Sequence, residues 1–585
     1  MGGNTPTATA NAGTSASPVV VPEGFTLHTE NNSHILISSK DEAFLNPVQE
    51  FNRDLSVACI RVWSEEMNRE KEEKWKKAEE RRTKRLAEAI WRKPEIECEG
   101  ETSQAVDPVK EVSMLDILAP PESKPRVYQP YKFVLLEALS ATGLRSIRYA
   151  KEIPLVRFVI ANDLSPSATA AMRRNVEANG LGPTTEESEG SGTNNTETDG
   201  QSKKSSLGKV RINEGDACAL MYNHRTEKTR VDVVDLDPYG TAAPFIDAAV
   251  QAVNDGGLLC VTCTDLAVLA TTNYSEKCFA NYGGIPMKAE YCHEAALRLV
   301  LNTLSTSASR YGRYIQPLLS LSVDFYVRLF VRIHSGPIEV KKAASKTSLF
   351  YVCPGCSSFH EQKLGKTVGK VNEKSGATDY RFKTVSGPPV PAECPECSSH
   401  PHVAGPMWSG PLHDVGFVSK VLGHLEKNQD QYGTSTRMKG MLAVAQEELD
   451  VPFYFTPARV AGTFHCSTPA LDDVASALLN AGHKISRSHA CPGSLKTTAP
   501  REDIHDVFRS WVKKHPVRMD RVSAESPAFK LLTKPHRTEA DFKKHPDSVT
   551  RASKVNLVRY QQNPTPYWGP GSKAAGKRKR DDDDH

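Results

Sequence analysis

The residues best equipped for chemistry follow the run Val231 to Leu236, which reads as a buried β-strand and ends in Asp237-Pro238-Tyr239-Gly240. Pro238 stops the strand and fixes the direction of the chain. A carboxylate, a carbonyl beside proline and an aromatic ring then stand together at a strand's carboxyl end, which is where open α/β sheets bind ligands. This trio suits a planar amino group. The Asp237 carboxylate and the Pro238 carbonyl can accept its N–H bonds, and the Tyr239 ring can stack on the attached base. These three are the candidate catalytic residues. The same residue types also make an ordinary turn after a core strand, and taken alone the segment allows both readings.

Three earlier strand ends carry ligand-type groups in chain order. Glu137 to Arg145 is a small-residue loop that opens a helix, so its backbone N–H groups can approach a ligand closely. It lacks the G-x-G-x-x-G pattern of a dinucleotide pyrophosphate site. Asp163 ends the second strand at a distance from that loop suited to ribose hydroxyls. Asp216 and Ala217 follow the third, where a carboxylate and a backbone N–H can meet an adenine edge. Each Asp alone could instead be a helix N-cap; four strand ends with ligand-type groups in sheet order point to a ligand site.

The elements that must position these groups alternate. Strands are expected at 133–139, 155–160, 209–213, 231–236 and 257–264, with helices at 144–151, 166–179 and 241–254 between them. Such spacing implies a parallel, doubly wound sheet. A hairpin is expected at 25–37, a helix beginning near 51, a solvated charged helix at 65–93, a linker at 94–130 and a disordered insertion at 183–206. After residue 290 a helix near 289–304, a β-rich stretch at 318–333 and mixed α/β segments follow.

The chain has 585 residues, 39% hydrophobic and 25% charged, with a net charge of +4. That length needs more than one core. No apolar run can span a bilayer, and no secretory leader or Arg-rich presequence is expected at the N-terminus, where the first Arg is Arg53. The charge permits nucleic-acid binding through local patches without requiring it. Thirteen cysteines include Cys353-x-x-Cys356 and Cys394-x-x-Cys397, the knuckle spacing of a closed four-cysteine zinc site. A flexible hairpin or loop is expected between the pairs. His360, His400 and His402 are expected at the surface. Cys260 and Cys263 are expected in the core, on one face of a strand.

Several segments together resemble a known family: Phe-Leu-Asn-Pro at 44–47, Asn-Arg-Asp-Leu-Ser at 52–56, Ala-Leu-Ser-Ala-Thr-Gly-Leu-Arg-Ser-Ile-Arg-Tyr at 138–149, Asn-Asp-Leu-Ser at 162–165, Asp-Leu-Asp-Pro-Tyr-Gly at 235–240 and Ser-His-Ala-Cys-Pro-Gly-Ser-Leu-Lys-Thr at 488–497. The 235–240 segment resembles the motif of amino-group methyltransferases. The whole set is similar to the tRNA (guanine-26, N2)-dimethyltransferases, the Trm1 family, over about residues 25–540. The resemblance implies an α/β fold: a Rossmann-like S-adenosylmethionine-dependent methyltransferase domain, then an α+β C-terminal domain with a zinc module. It implies that Arg53, Arg145, Asp163, Asp216 and Ala217 hold S-adenosyl-L-methionine. From the residues alone Arg53 could equally be a surface salt bridge. The implied substrate is tRNA, with Tyr239 and Phe44 as substrate-binding aromatics; a core position suits Phe44 as well.

The expected organisation is a disordered 1–22, a methyltransferase domain at 23–290, a tRNA-binding domain at 291–545 with the zinc module at 350–400, and a charged tail at 546–585. The basic segments Lys484 to Arg487, Lys496, Lys513-Lys514, Arg518 to Arg521 and Lys534 to Arg537 would meet phosphates, with an ordinary solvated surface as the alternative reading. Lys577 to Arg580 suggests a nuclear address or a nonspecific basic tail, with a mitochondrial pool as the weaker alternative. A monomer without membrane contact is expected. Two rivals remain at this point: a methyltransferase acting on another amino group, in DNA or protein, and a catalytically inert zinc-containing RNA-binding protein.

Overall fold

The computed structural model describes residues 19–38, 45–91, 126–183 and 207–551. Its centre is a seven-stranded sheet in the order β5-β4-β3-β6-β7-β9-β8. The strands are β3 (Phe133–Glu137), β4 (Val156–Asp163), β5 (Val210–Glu214), β6 (Val231–Leu236), β7 (Val253–Cys263), β8 (Arg313–Val323) and β9 (Tyr326–Ser335). β5 through β7 are parallel, and β9 and β8 add antiparallel strands beside β7. The chain lays down β3, β4 and β5 outward in one direction and returns to the other side of β3 for β6. The order therefore reverses between β3 and β6, and a crevice opens at their carboxyl ends.

The crossover helices are α2 (Leu144–Glu152), α3 (Pro166–Ala178), α4 (Ala217–Asn223) and α5 (Ala243–Ala252). α5 runs directly into β7, so the expected helix 241–254 stops at Ala252 and the strand starts four residues before the expected 257. Both sheet faces are buried, as a parallel sheet requires. One face packs Leu136, Val234, Leu259 and Val261 against α5 and the helix Cys292–Ser309. The other packs Leu135, Val159, Val233 and Leu258 against Phe51, Leu55 and Trp63.

Those last three residues lie on α1 (Glu50–Trp91), a single 42-residue helix. The buried segment near 51 and the charged segment at 65–93 were expected as separate elements. They are one helix, because apolar spacing continues to Met67 before charge takes over. Around that point the helix still touches the rest of the fold: Glu66 meets Lys420, and Arg332 grips Glu70 at 2.7 Å.

Two expectations need correction. Cys260 and Cys263 are buried, but on opposite faces: Cys260 joins Leu135 and Val233, and Cys263 joins Leu136 and Val234. Side chains alternate with period two along a strand, so a spacing of three changes face. The expected domain boundary at 290 also divides a continuous sheet, since β8 and β9 belong to it and the helices Val415–Lys427 and Ser435–Glu447 pack on its second face.

Beyond the sheet, β10 (Thr347–Val352), β11 (Phe359–Lys363) and β14 (His402–Trp408) form a three-stranded sheet in the order β11-β10-β14. A separate hairpin of β12 (Lys366–Val371) and β13 (Thr378–Lys383) leaves it. A third core gathers the four cysteines with Phe464, Leu478, Ile504 and Phe508. The expected hairpin near 25–37 is β1 (Phe25–Glu30) paired with β2 (Ser33–Ser38). No helix of the described residues is long and apolar enough to cross a membrane.

Candidate active site

A cleft of about 510 Å³ lies at the reversal of strand order, within the usual size of small-molecule sites. Glu137, Ala141, Thr142, Arg145, Asp163, Asp237, Pro238 and Tyr239 line it, and Arg53 closes one side. Strand ends β3, β4 and β6 thus deliver their acidic groups to one space, as their sequence order implied.

The loop after β3 is built to come close. Ala141 has φ +46° and Gly143 φ +79°, and a Cβ on Gly143 would lie 2.7 Å from Met172 Cγ. Only glycine permits both the left-handed backbone and this approach to α3. The Asp163 carboxylate accepts from the Ala141 N–H at 2.9 Å and from the Ser165 N–H at 3.0 Å. The helix cap beside it is Ser165, whose hydroxyl accepts from the Ala168 N–H. Asp163 therefore ties loop to strand and remains on the cleft wall.

Asp216 takes the alternative reading. Its carboxylate caps α4 by accepting from the Ala219 N–H at 2.7 Å, and neither it nor Ala217 lines the cleft. Arg53 is buried, and no surface salt bridge forms. It makes a two-pronged pair with Glu30 of β1 and also donates to the Asn46 carbonyl at 3.3 Å. Phe44 lies outside the described residues.

Electrostatics concentrate around Arg145. Its guanidinium donates to Asp237, donates to Ser56 Oγ at 3.1 Å, and lies 3.8 Å from both Asp235 and Glu137. Asp235 is fully buried and accepts from Tyr149 at 2.5 Å and Arg328 at 2.8 Å. Burial pushes its pKa up, but Arg328 and Arg145 outweigh that and hold it below the ordinary carboxylate range. Glu137 lacks so close a cation, and burial pushes it up to about 8. Glu137 on the cleft wall is therefore protonated at neutral pH, whereas Asp235, buried behind that wall, is ionised. Sequence reasoning missed Glu137 and Asp235. Glu137 ends the first strand, and Asp235 lies two residues before Asp237, on the same side of β6.

Pro238 is buried, whereas Tyr239 is 71% exposed at the rim. An exposed ring beside a carboxylate offers a stacking face to an incoming planar group. Thr241, Phe245 and Thr264 complete that end of the cleft.

The four cysteines form a separate centre. Cys353, Cys356, Cys394 and Cys397 are all buried, with their sulfur atoms within 4.8 Å of one another. Cys353 and Cys397 are 3.3 Å apart, and Cys356 and Cys394 are 3.7 Å apart. Tetrahedral zinc with bonds of ~2.3 Å needs sulfur separations of roughly 3.8 Å. The cluster fits a closed structural zinc site. The hairpin expected between the cysteine pairs is β12–β13.

His413, Glu448 and His489 also converge, but their hydrogen bonds disfavour a metal. His489 Nε2 accepts from the Ser322 N–H at 3.1 Å and His413 Nδ1 from the Ser320 N–H at 3.4 Å. Each neutral ring thus turns its N–H toward Glu448, and Lys496 adds a cation 3.0 Å away. Ser488, His489 and Lys496 of the 488–497 segment are therefore parts of a buried lock around Glu448, and Lys496, expected to meet phosphate, is instead buried between Glu448 and Glu294.

Comparison with known proteins agrees with this geometry. The family model described as N2,N2-dimethylguanosine tRNA methyltransferase matches residues 24–509. The tRNA (guanine(26)-N(2))-dimethyltransferase of Schizosaccharomyces pombe is 43% identical, over 94% of this chain and 92% of its own. The human protein of that name is 40% identical, over 93% of this chain and 77% of its own. A Saccharomyces cerevisiae relative whose name adds "mitochondrial" is 38% identical, over 96% and 94%. The solved structure of Trm1 from Pyrococcus horikoshii with S-adenosyl-L-methionine shares the fold, with a TM-score of 0.56 and 24% identity over 82% of this chain and 98% of that one. A fold, a cleft and a near full-length likeness thus converge: the chain belongs to the N2,N2-dimethylguanosine tRNA methyltransferase family.

Proposed function

We propose that this chain transfers two methyl groups from S-adenosyl-L-methionine to the exocyclic N2 of guanine 26 in tRNA. The observation that carries the reading is the meeting of Asp237, Pro238 and Tyr239 with Asp163 and the Ala141–Leu144 loop in one cleft. The cofactor, when bound, supplies a methyl group on a sulfonium. Asp163, Arg145 and Arg53 form the wall that would hold it; Asp216 and Ala217 would reach it only from beyond the present cleft wall.

Guanine N2 is a poor nucleophile, because its lone pair is delocalised into the ring. Asp237 and the Pro238 carbonyl accept N2–H bonds, return electron density to nitrogen and aim it. Asp237 takes the proton that transfer releases. Positioning and fixed dipoles supply most of the acceleration. A base drawn from a folded RNA loses its stacking, and the exposed Tyr239 ring replaces part of it. After the first transfer, the remaining N2–H turns to Asp237 and the new methyl takes the space near Thr241, Phe245 and Thr264.

The chain acts on this reading as a monomer, and its nuclear address is Lys577 to Arg580, which lie outside the described residues. The deciding experiment is tritiated methyl transfer to unmodified tRNA transcripts with nucleoside analysis, using wild type and Asp237→Ala. N2,N2-dimethylguanosine from wild type alone supports the proposal. Methylation of another acceptor, or none with the cofactor bound, overturns it.

A further inference from the structure

The β12–β13 hairpin carries its charge on one face. Its register sets Lys366 opposite Lys383, Val368 opposite Arg381 and Lys370 opposite Asp379. Directly opposed residues share a face, and faces alternate along each strand. Lys366, Lys370, Arg381 and Lys383 therefore stand together with a single carboxylate, Asp379. The other face holds Thr367, Tyr380 and Phe382, and it is turned toward the protein. Lys342 lies 4.2 Å from the Tyr380 ring centre, and Thr367 Oγ1 lies 3.1 Å from Ser345 Oγ. The tip is closed by the Gly376 N–H donating to the Asn372 carbonyl at 2.8 Å.

All four cations of the outer face are exposed, and among the described residues none of them enters an ion pair. The neighbouring Lys342 and Lys346, by contrast, both pair with Glu339. Lys366 directly opposite Lys383 is a like-charge pair, which weakens a two-stranded ribbon. This ribbon has no core of its own: every residue from Val368 to Pro389 is exposed, and Val390 is the next buried side chain. Among the described residues only Asp379, opposite Lys370, offsets the charge of this face. An anionic occupant would offset the rest.

We propose that the outer face of this hairpin docks the ribose-phosphate backbone of the tRNA substrate. This rests on the tRNA methyltransferase reading above. Lys366 and Lys370, four residues apart on one strand, stand roughly 13 Å from each other. With Arg381 and Lys383 they make an elongated cationic strip, the shape of a nucleic-acid backbone and not of a small anion. Contacts of this kind position the RNA without reading its sequence. The zinc site then fixes the base from which the hairpin reaches the tRNA.

The test uses the full, zinc-loaded chain and an unmodified tRNA transcript. The variants are the fourfold glutamine substitution K366Q/K370Q/R381Q/K383Q, the single substitutions K370Q and K383Q, and the charge-keeping K366R/K370R/K383R. Binding is read by fluorescence anisotropy across about 50–200 mM salt, where phosphate contacts register as a slope of ~0.7–0.9 each. We expect the fourfold variant to raise the tRNA KM about tenfold or more and to flatten the salt slope by roughly two to three, with kcat at saturating tRNA and the cofactor KM unchanged. Each single variant flattens the slope by ~0.7, and the arginine variant behaves as wild type. An unchanged slope in the single variants, or an arginine variant as weak as the glutamine one, overturns the proposal. Wild type that binds tRNA without methylating it overturns the functional reading instead, and the anisotropy comparison still decides the hairpin.

Discussion

The Arg145 guanidinium donates to the Asp237 carboxylate across the floor of the cleft, joining the first turn of α2 to the end of β6, 92 residues apart in sequence. The pair aims the proposed proton acceptor before any substrate arrives. Asp237→Asn preserves shape but removes the acceptor charge. It should lower kcat by about 10²- to 10⁴-fold, while calorimetric affinity for S-adenosylmethionine stays within a few-fold of wild type. Equal loss of kcat and of cofactor binding would show that Asp237 serves the cofactor.

How much of this was open to sequence reasoning depends on distance along the chain. The β6 strand and its Asp237-Pro238-Tyr239 end could be read because a doubly buried strand is a continuous apolar run and proline marks its end. Asp163 could be read for the same reason. Arg53 could not be settled: its partner Glu30 lies on a separate hairpin, and no local pattern announces a pair between them. Glu137 was passed over because one Glu at a strand end looks ordinary until Arg145 and Asp235 are placed beside it. The assignment of β8 and β9 to the main sheet was equally hidden, since antiparallel pairing leaves no mark that names the partner strand.

Glu137 makes stability fall with pH. Its pKa is about 8 in the fold against an ordinary value of 4.5. Between those values the folded chain holds a proton that the unfolded chain releases, so unfolding becomes easier as pH rises from 4.5 to 8 and levels off above. The full effect is roughly 5 kcal/mol as an upper figure. Glu137→Gln should flatten this part of the profile in urea melts at several pH values. An identical pH profile in the variant would mean that Glu137 is ionised in the fold.

Glu448 works in the opposite direction. Burial opposes its charge, but His489, Lys496 and His413 hold its pKa well below the ordinary range. Its stabilisation is present above the unfolded carboxyl pKa and is lost only as pH falls through the lower folded value. Glu448→Gln leaves Lys496 buried beside Glu294 alone, and breaking such a cluster costs ~3–5 kcal/mol. Thermal melts at pH 7 should show a clear fall in Tm; a Tm within about a degree of wild type would mean that the lock contributes little.

The zinc site should be stoichiometric and structural. Metal analysis should find one zinc per chain, and Cys394→Ser should lose it. Because the four cysteines pack with Phe464, Leu478 and Phe508, loss of metal should loosen that core first. Hydrogen exchange in the 353–397 and 464–508 segments should rise well before exchange in β3 or β6. Uniform loosening of both regions would make the zinc site part of one cooperative unit with the sheet.

Tyr239 separates stacking from chemistry. Its ring is exposed at the rim while Asp237 and Pro238 sit behind it, so the ring meets the base and the other two meet its amino group. Base–aromatic stacking is worth ~1–3 kcal/mol. Tyr239→Phe keeps the ring and should retain kcat/KM for tRNA within a few-fold. Tyr239→Ala should lose ~10- to 100-fold in kcat/KM, chiefly because the base fails to stay in the cleft. The cofactor KM should stay unchanged in both, since the loop and Asp163 are untouched. If Tyr239→Phe were as impaired as Tyr239→Ala, the hydroxyl and not the ring face would be the working group, and the stacking role would fall.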